Sequence, residues 1–201
     1  MKKIILSLAL LFVINSAAMG AHQLSDFPLG MTQQEAVARG LAMQDQYGGL
    51  VNIMFGGREW PAALVFENQR LVYVLLRQSG EDFITGARGG LFGQLGWLAI
   101  YAVTDRNLEF DAVALASSGM SEEAIEREHE RFRETMQIQN IRNFTSVHVS
   151  MRVWAALRQL REGTPAETFP DAVLSHLTVN ENEVTLMFTT FGYMDRMNRR
   201  M

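Results

Sequence analysis

Hydrophobic residues in this chain form several short runs separated by polar or turn-forming residues. Six runs have the length and composition of β-strands: 50–55, 62–66, 71–76, 97–103, 173–179 and 183–190. The tetrapeptide at 67–70 and the tripeptide Asn180-Glu181-Asn182 separate successive runs as hairpin turns do. The pattern therefore predicts antiparallel strand pairs in both halves of the chain.

Two helix starts are marked by capping residues. Thr32 and Glu35 form a T-x-x-E capping box, which predicts a helix beginning at Gln33. Ser121 is an N-cap for a second, longer helix with acidic residues in its first turn. Apolar residues recur along that helix at a spacing of four or eight: Met120, Ala124, Phe132 and Met136.

A third helix is predicted over 147–160, where the pattern alternates at first and then follows helical spacing. Gly163 and Pro165 would end it. Together these elements predict an α+β fold with helices packed on an antiparallel β-sheet. Residues 118–124 (SGMSEEA) echo 30–36 (GMTQQEA), so two loosely similar α-β halves are one interpretation, and coincident capping chemistry is the other.

The first twenty residues have the organisation of a secretory signal peptide. Lys2 and Lys3 precede an apolar stretch at 4–14, and cleavage is expected after Ala18 or Gly20. The apolar stretch is shorter than the ~20 residues that span a bilayer. We expect a single domain over 21–201, with a possible subdivision near 104–118, and no membrane segment after cleavage. The chain has no cysteine to carry a lipid, so the sequence predicts a soluble periplasmic protein that is not a lipoprotein.

Removal of that leader leaves a chain without lysine. Its sixteen remaining cations are all arginines, against 22 acidic residues, for a net charge of −6. An acidic surface argues against nucleic-acid binding. The absence of lysine and cysteine excludes Schiff-base lysines, phosphate-loop lysines, thiolate nucleophiles and cysteine-ligated metals. No cofactor is predicted.

Residues 29–36 (LGMTQQEA), followed by 63–74 (ALVFENQRLVYV), resemble the small periplasmic domains of the BamE (SmpA/OmlA) and β-lactamase-inhibitor-like group. In that group a G-M-[ST]-x-x-[EQ] motif starts a helix, and a hairpin carries F-x-[ND]-x-x-L, matched here by Phe66, Asn68 and Leu71. The resemblance spans about residues 27–77. It implies a binding or assembly role without catalysis.

Two patterns have a chemical interpretation beside a structural one. The glycine-rich stretch at 86–93, with Arg88, could cradle an anion, although a tight turn before a buried strand explains it as well. On the long helix, Glu126, His129 and Glu130 have the i, i+3, i+4 spacing of metal ligands. No matching ligands are visible on another helix, and His129 also borders the apolar stripe.

No catalytic signature is present, so the predicted function is an exported periplasmic binding or envelope-assembly protein whose partner is an envelope protein. Arg58 and Trp60 are the candidate partner-binding residues, because Arg and Trp dominate binding hot spots. Trp60 precedes Pro61 and could equally be a core anchor. The alternative function is an acid/base hydrolase of the cell envelope. His176 is expected to be exposed. The tail 194–201 is expected to be a frayed terminus, with contact to a partner or to an anionic membrane surface as the alternative.

Overall fold

The strands of this protein join into one large sheet. The computed structural model describes residues 22–79, 97–158 and 171–199. Ten strands occur in that part of the chain: β1 (His22–Gln23), β2 (Ala42–Met43), β3 (Gly48–Phe55), β4 (Arg58–Glu67), β5 (Arg70–Ser79), β6 (Trp97–Thr104), β7 (Glu109–Asp111), β8 (Phe144–Ser150), β9 (Val173–Val179) and β10 (Glu183–Thr190).

The helices are short except for one. A 3-10 helix spans Leu24–Asp26. Five α-helices follow within the described ranges: α1 (Gln33–Ala38), α2 (Ala112–Ser117), α3 (Glu122–Ile138), α4 (Met151–Leu157) and α5 (Phe191–Arg199). The fold is therefore α+β, with more strand than helix.

The sheet order is β1-β3-β4-β5-β10-β9-β8-β6-β7, and β2 pairs with β3. All pairings are antiparallel except β1 with β3. At the turn between β4 and β5, Asn68 and Gln69 have φ of 51° and 61°. Two successive left-handed residues suit the right-handed twist of a two-residue hairpin.

Residues directly opposite one another in paired strands share a face of the sheet. One such row crosses the sheet from β4 to β7: Ala62, Leu76, Leu186, Leu177, Ser146, Ala102 and Phe110. We call the face that carries this row the inner face. The apolar residues of the row are all buried, so burial selects this register over one shifted by a single residue.

A first core lies between the inner face of β3–β5 and the segment from Phe27 to Leu41. The capping box forms as predicted. The Glu35 amide donates to Thr32 Oγ1 at 3.2 Å, and the Thr32 amide donates to the Glu35 carboxylate at 2.7 Å. Ala36 of α1 is completely buried in this core.

A second core is centred on α3 and the strands near β7. The Phe110 ring lies 4.9 Å from the His129 ring and 6.1 Å from the Phe132 ring, measured between centroids. Because Phe110 belongs to the inner-face row, α3 packs on the same side of the sheet as α1. Trp154 and Leu157 of α4 extend this core.

Each of these two helices precedes three antiparallel strands. Helix α1 is followed by the two-residue strand β2 and then by the meander β3-β4-β5. Helix α3 is followed by β8-β9-β10, with α4 inserted after β8. The meanders join where β5 pairs with β10. Before the helices, Gly30 and Gly119 have nearly the same left-handed φ, 85° and 86°.

All six predicted strands are confirmed, and so are the starts of α1 and α3. The helix predicted over 147–160 is wrong at its beginning. Residues 147–150 belong to β8, where they pair with both β6 and β9. The helix begins only after Ser150, whose side chain accepts a hydrogen bond from the Val153 amide at 3.4 Å. The element pair at 109–117, β7 and α2, was not predicted.

Two further predictions need correction. His176 is half-buried, because β9 lies inside the sheet between β8 and β10. The tail is a helix through Arg199. Its Tyr193 ring lies 5.8 Å from the Tyr73 ring, so the helix is anchored to β5.

Several predictions concern residues that the structure does not describe. The leader, the glycine-rich stretch at 86–93 and the helix stop at 163–165 lie outside the described residues. Within 22–79, 97–158 and 171–199, no helix combines the length and apolar character that crossing a membrane requires.

Candidate ligand-binding cleft

A cleft of about 700 Å³ opens on the inner face where the two meanders join. This volume is within the range of about 300–1,000 Å³ that small-molecule sites occupy. Nine of its described lining residues are leucine, valine, phenylalanine or tryptophan: Leu24, Phe27, Leu29, Leu71, Val72, Val74, Trp97, Val173 and Phe188. Ligand sites are commonly lined in this way, with few polar groups.

The floor of the cleft is set by the β5–β10 pairing. Val74 lies directly opposite Phe188, and both are buried. The Phe188 ring makes edge-to-face contacts with Phe55, at 5.1 Å, and with Trp97, at 5.9 Å. Aromatic neighbours on two sides fix the orientation of Phe188, which is 3% exposed, so the floor is rigid.

One wall is the segment from Leu24 to Met31, and backbone hydrogen bonds hold it against β5. The Gly30 amide donates to the Leu71 carbonyl, and the Leu71 amide donates to the Met31 carbonyl, both at 2.8 Å. The ring of Phe27 is 1% exposed. The wall is thus fixed to the strand that supplies the floor.

Among the lining residues that the structure describes, three are charged. Arg70 donates from its guanidinium to the Gly30 carbonyl at 2.9 Å. The guanidinium carbon of Arg196 lies 5.4 Å from the centre of the Tyr193 ring, a cation–π contact. Asp171 is the acidic member. Two cations against one anion give the cleft a positive excess in a chain that is acidic as a whole.

A group of polar residues is buried elsewhere on the inner face. Ser175 of β9 lies opposite His148 of β8, and Ser146 lies two residues before His148. Burial, with smaller effects from His129 and His176, lowers the pKa of His148 to about 3. In the described part of the chain, the hydroxyls of Ser146 and Ser175 have no hydrogen-bond partner. This group does not line the cleft.

The two predicted hot-spot residues, Arg58 and Trp60, differ in their exposure to solvent. Arg58 is exposed, whereas Trp60 is 2% exposed and donates from its indole nitrogen to the Phe55 carbonyl at 3.0 Å. Trp60 therefore occupies the position of a core anchor, the second of the two interpretations. Contact between Arg58 and a partner stays a prediction.

The three candidate metal ligands on α3 do not converge. Glu126 and Glu130 are exposed, while His129 is half-buried against Phe110. Burial lowers the pKa of His129, and the neighbouring Arg133 lowers it further. In the ranges that the structure describes, no three His, Asp or Glu side chains are grouped so that they could hold a metal ion.

Sequence reasoning did not find the cleft. Its residues come from segments near 24–30, 70–74 and 171–196, with Trp97. Backbone hydrogen bonds between Gly30, Met31 and Leu71 join the first two segments, and the β5–β10 pairing adds the third. One local signal was present. Residues 27–30 (FPLG) place an apolar cluster before a turn glycine, and this segment supplies the wall.

The chain was also compared with known proteins. No family model, no curated protein and no solved structure matches it. The resemblance to BamE-like domains is therefore still a prediction.

Proposed function

We propose that this chain is an exported periplasmic protein that acts by binding an envelope component rather than by catalysis. The observation that supports this proposal is the apolar cleft over the β5–β10 pairing. Among its described lining residues there is no histidine, glutamate, lysine or cysteine. Asp171 is the one carboxylate among them, and a hydrolase that works with paired carboxylates needs a second one, so this lining favours binding.

The interpretation of two similar halves fits this proposal. Both halves have a Gly-Met-Thr or Gly-Met-Ser start, a helix and three antiparallel strands. If the halves arose by duplication, the junction of β5 and β10 is the one place where equivalent strands meet. A cleft at that junction has lining residues from both halves, as ligand sites between repeated units commonly do.

The proposal can be tested by closing the cleft. Val173 lies at its rim with 38% of its surface exposed, so Val173→Trp would place a bulky ring in the opening without disturbing the core. Met151, 51% exposed on α4, does not line the cleft, and Met151→Trp is the matched control. The secreted wild type and both variants would be captured from the cell envelope, and bound proteins and extracted small molecules identified by mass spectrometry.

We expect the same envelope component with wild type and Met151→Trp, and at least a tenfold reduction with Val173→Trp. Equal recovery with all three proteins would show that the cleft is not the binding site. Recovery of a cleaved form of that component, with the intact form consumed over time, would contradict a role without catalysis. Retention of the protein in the cytosol with residues 1–20 intact would contradict export.

A further inference from the structure

We infer that the ligand of the cleft is a single-chain amphiphile with an anionic head group, its hydrocarbon chain along the apolar lining and its head at Arg70 and Arg196. This inference rests on the proposed binding function and names the class of ligand. The observations that support it are the partly exposed apolar lining, the paired state of the floor strands and the charges that line the cleft.

The cleft offers hydrophobic contact, but the strands of its floor offer no backbone pairing. Strand β5 is hydrogen-bonded to β4 on one side and to β10 on the other, and β10 is likewise paired with β9. An extended peptide needs a free strand edge to add itself to a sheet. A hydrocarbon chain needs no hydrogen bonds, so it can lie against the partly exposed lining residues Leu24, Leu29 and Trp97 without leaving a polar group unsatisfied.

The arginines determine the sign of the head group. Arg70 uses one guanidinium nitrogen for the Gly30 carbonyl, and a guanidinium has five N–H donors in all. The plane of Arg196 lies near the Tyr193 ring, and a ring contact leaves N–H groups at the edge of the guanidinium for an acceptor. Neither arginine forms an ion pair within the described residues. Carboxylate and phosphate oxygens match this donor geometry.

The affinity of such a ligand should depend on both of its parts. Each methylene that is buried against the apolar lining should tighten binding by about threefold to fourfold. Loss of one charge-assisted contact at the head should weaken binding by about tenfold. A cationic head would be repelled by the two arginines.

The test is calorimetric titration of the purified protein with four twelve-carbon probes below their micelle concentrations. The probes are dodecanoate, dodecyl phosphate, dodecanol and dodecyltrimethylammonium, and octanoate and decanoate extend the chain-length series. The variants are Arg70→Gln and Arg196→Gln. Arg152→Gln, on the exposed surface of α4 and outside the cleft, is the control.

Arg196→Gln is the decisive variant, because Arg70 also holds the wall through Gly30. We expect both variants to weaken binding of the anionic probes about tenfold. Dodecanol affinity should change by less than about twofold in the variants, and Arg152→Gln should bind like the wild type. Tighter binding of dodecanoate than of dodecyl phosphate would indicate a fatty-acid ligand, and the reverse order would indicate a phosphate-bearing lipid.

Equal wild-type affinity for the anionic, neutral and cationic probes would overturn the inference. So would cosedimentation with anionic phospholipid vesicles that dodecanoate does not compete away, since the target would then be a membrane surface. The two proposals fail separately. If no probe binds but envelope capture is still lost in Val173→Trp, the ligand class is wrong and the cleft is still the binding site.

Discussion

Of the four histidines, all of which the structure describes, only His148 is buried. It is 8% exposed, and it lies between Ala99 of β6 and Ser175 of β9. Since burial holds its pKa at about 3, the imidazole is neutral in the folded protein at every pH above that value. In the unfolded chain the same group titrates near its ordinary value of about 6.5.

This difference predicts a loss of stability in acid. Between pH 6.5 and 3 the unfolded state binds a proton at His148 that the folded state does not, so the free energy of unfolding falls as the pH falls. His148 contributes up to about 1.4 kcal/mol per pH unit to the slope of the free energy of unfolding against pH. Urea unfolding at pH 7, 6, 5 and 4 measures this slope. The slope should be shallower in His148→Gln by about that amount.

His176 provides the comparison for this experiment. Burial also lowers its pKa, but the side chain is only half-buried. Because partial exposure leaves part of the charge hydrated, His176→Gln should flatten the pH dependence less than His148→Gln does. An unchanged slope in His148→Gln would show that the acid sensitivity comes from other groups.

The sequence predicted the elements of this protein where the determining signal was local. Thr32 and Glu35 lie three residues apart and complete their capping box without help from the rest of the chain. The hairpin before Arg70 likewise depends on adjacent residues. At 147–160, by contrast, alternating and helical patterns overlap, and pairing with β6 and β9 decided that the first part is a strand.

The cleft was not predictable in the same way. Leu24, Val74 and Phe188 are distant in sequence, and no local pattern brings β5 beside β10. The exposure of Trp60 was equally hard to predict. A tryptophan two residues after an arginine has the composition of a hot spot whether its side chain is exposed or buried. The fold buried it in the first core.

At the β2–β3 contact, Gly49 is required by close approach. A Cβ at this position would lie 2.6 Å from the Ala42 carbonyl oxygen and 2.8 Å from a Leu41 side-chain carbon. Gly49→Ala should therefore force backbone to move and lower the free energy of unfolding by about 1–3 kcal/mol, measured by urea titration.

A second variant, Gly30→Ala, separates the effect of a steric clash on stability from the effect of backbone strain. The φ of Gly30 is 85°, but nothing lies within 4 Å of a Cβ built there. Gly30→Ala should cost about 1 kcal/mol through conformation alone. If Gly49→Ala is no more destabilising than an ordinary exposed strand substitution, the close contact between β2 and β3 is contradicted.

Across the whole molecule, the β5–β10 pairing connects the two halves of the chain within the first core. Leu76 and Leu186 face each other there, and neither is exposed to solvent. The first core includes Leu177, Val179 and Leu186 from the second half of the chain. Loss of contact at this junction should therefore weaken both halves together, which is the behaviour expected of the predicted single domain over 21–201.

Two tryptophans can report on the two cores separately, Trp60 in the first and Trp154 in the second. Two variants would each keep one of the chain's three tryptophans, either Trp60 or Trp154. Fluorescence-detected urea unfolding of the two variants should give coincident midpoints, because one cooperative transition exposes both tryptophan positions to solvent. Leu186→Ala removes buried side chain at the junction and should lower both midpoints equally, by an amount equivalent to about 2–5 kcal/mol. Ile138→Ala, at a position 84% exposed, should shift neither midpoint. If Leu186→Ala moves the Trp60 transition and leaves the Trp154 transition in place, the halves unfold independently and the chain has two domains joined at a sheet edge.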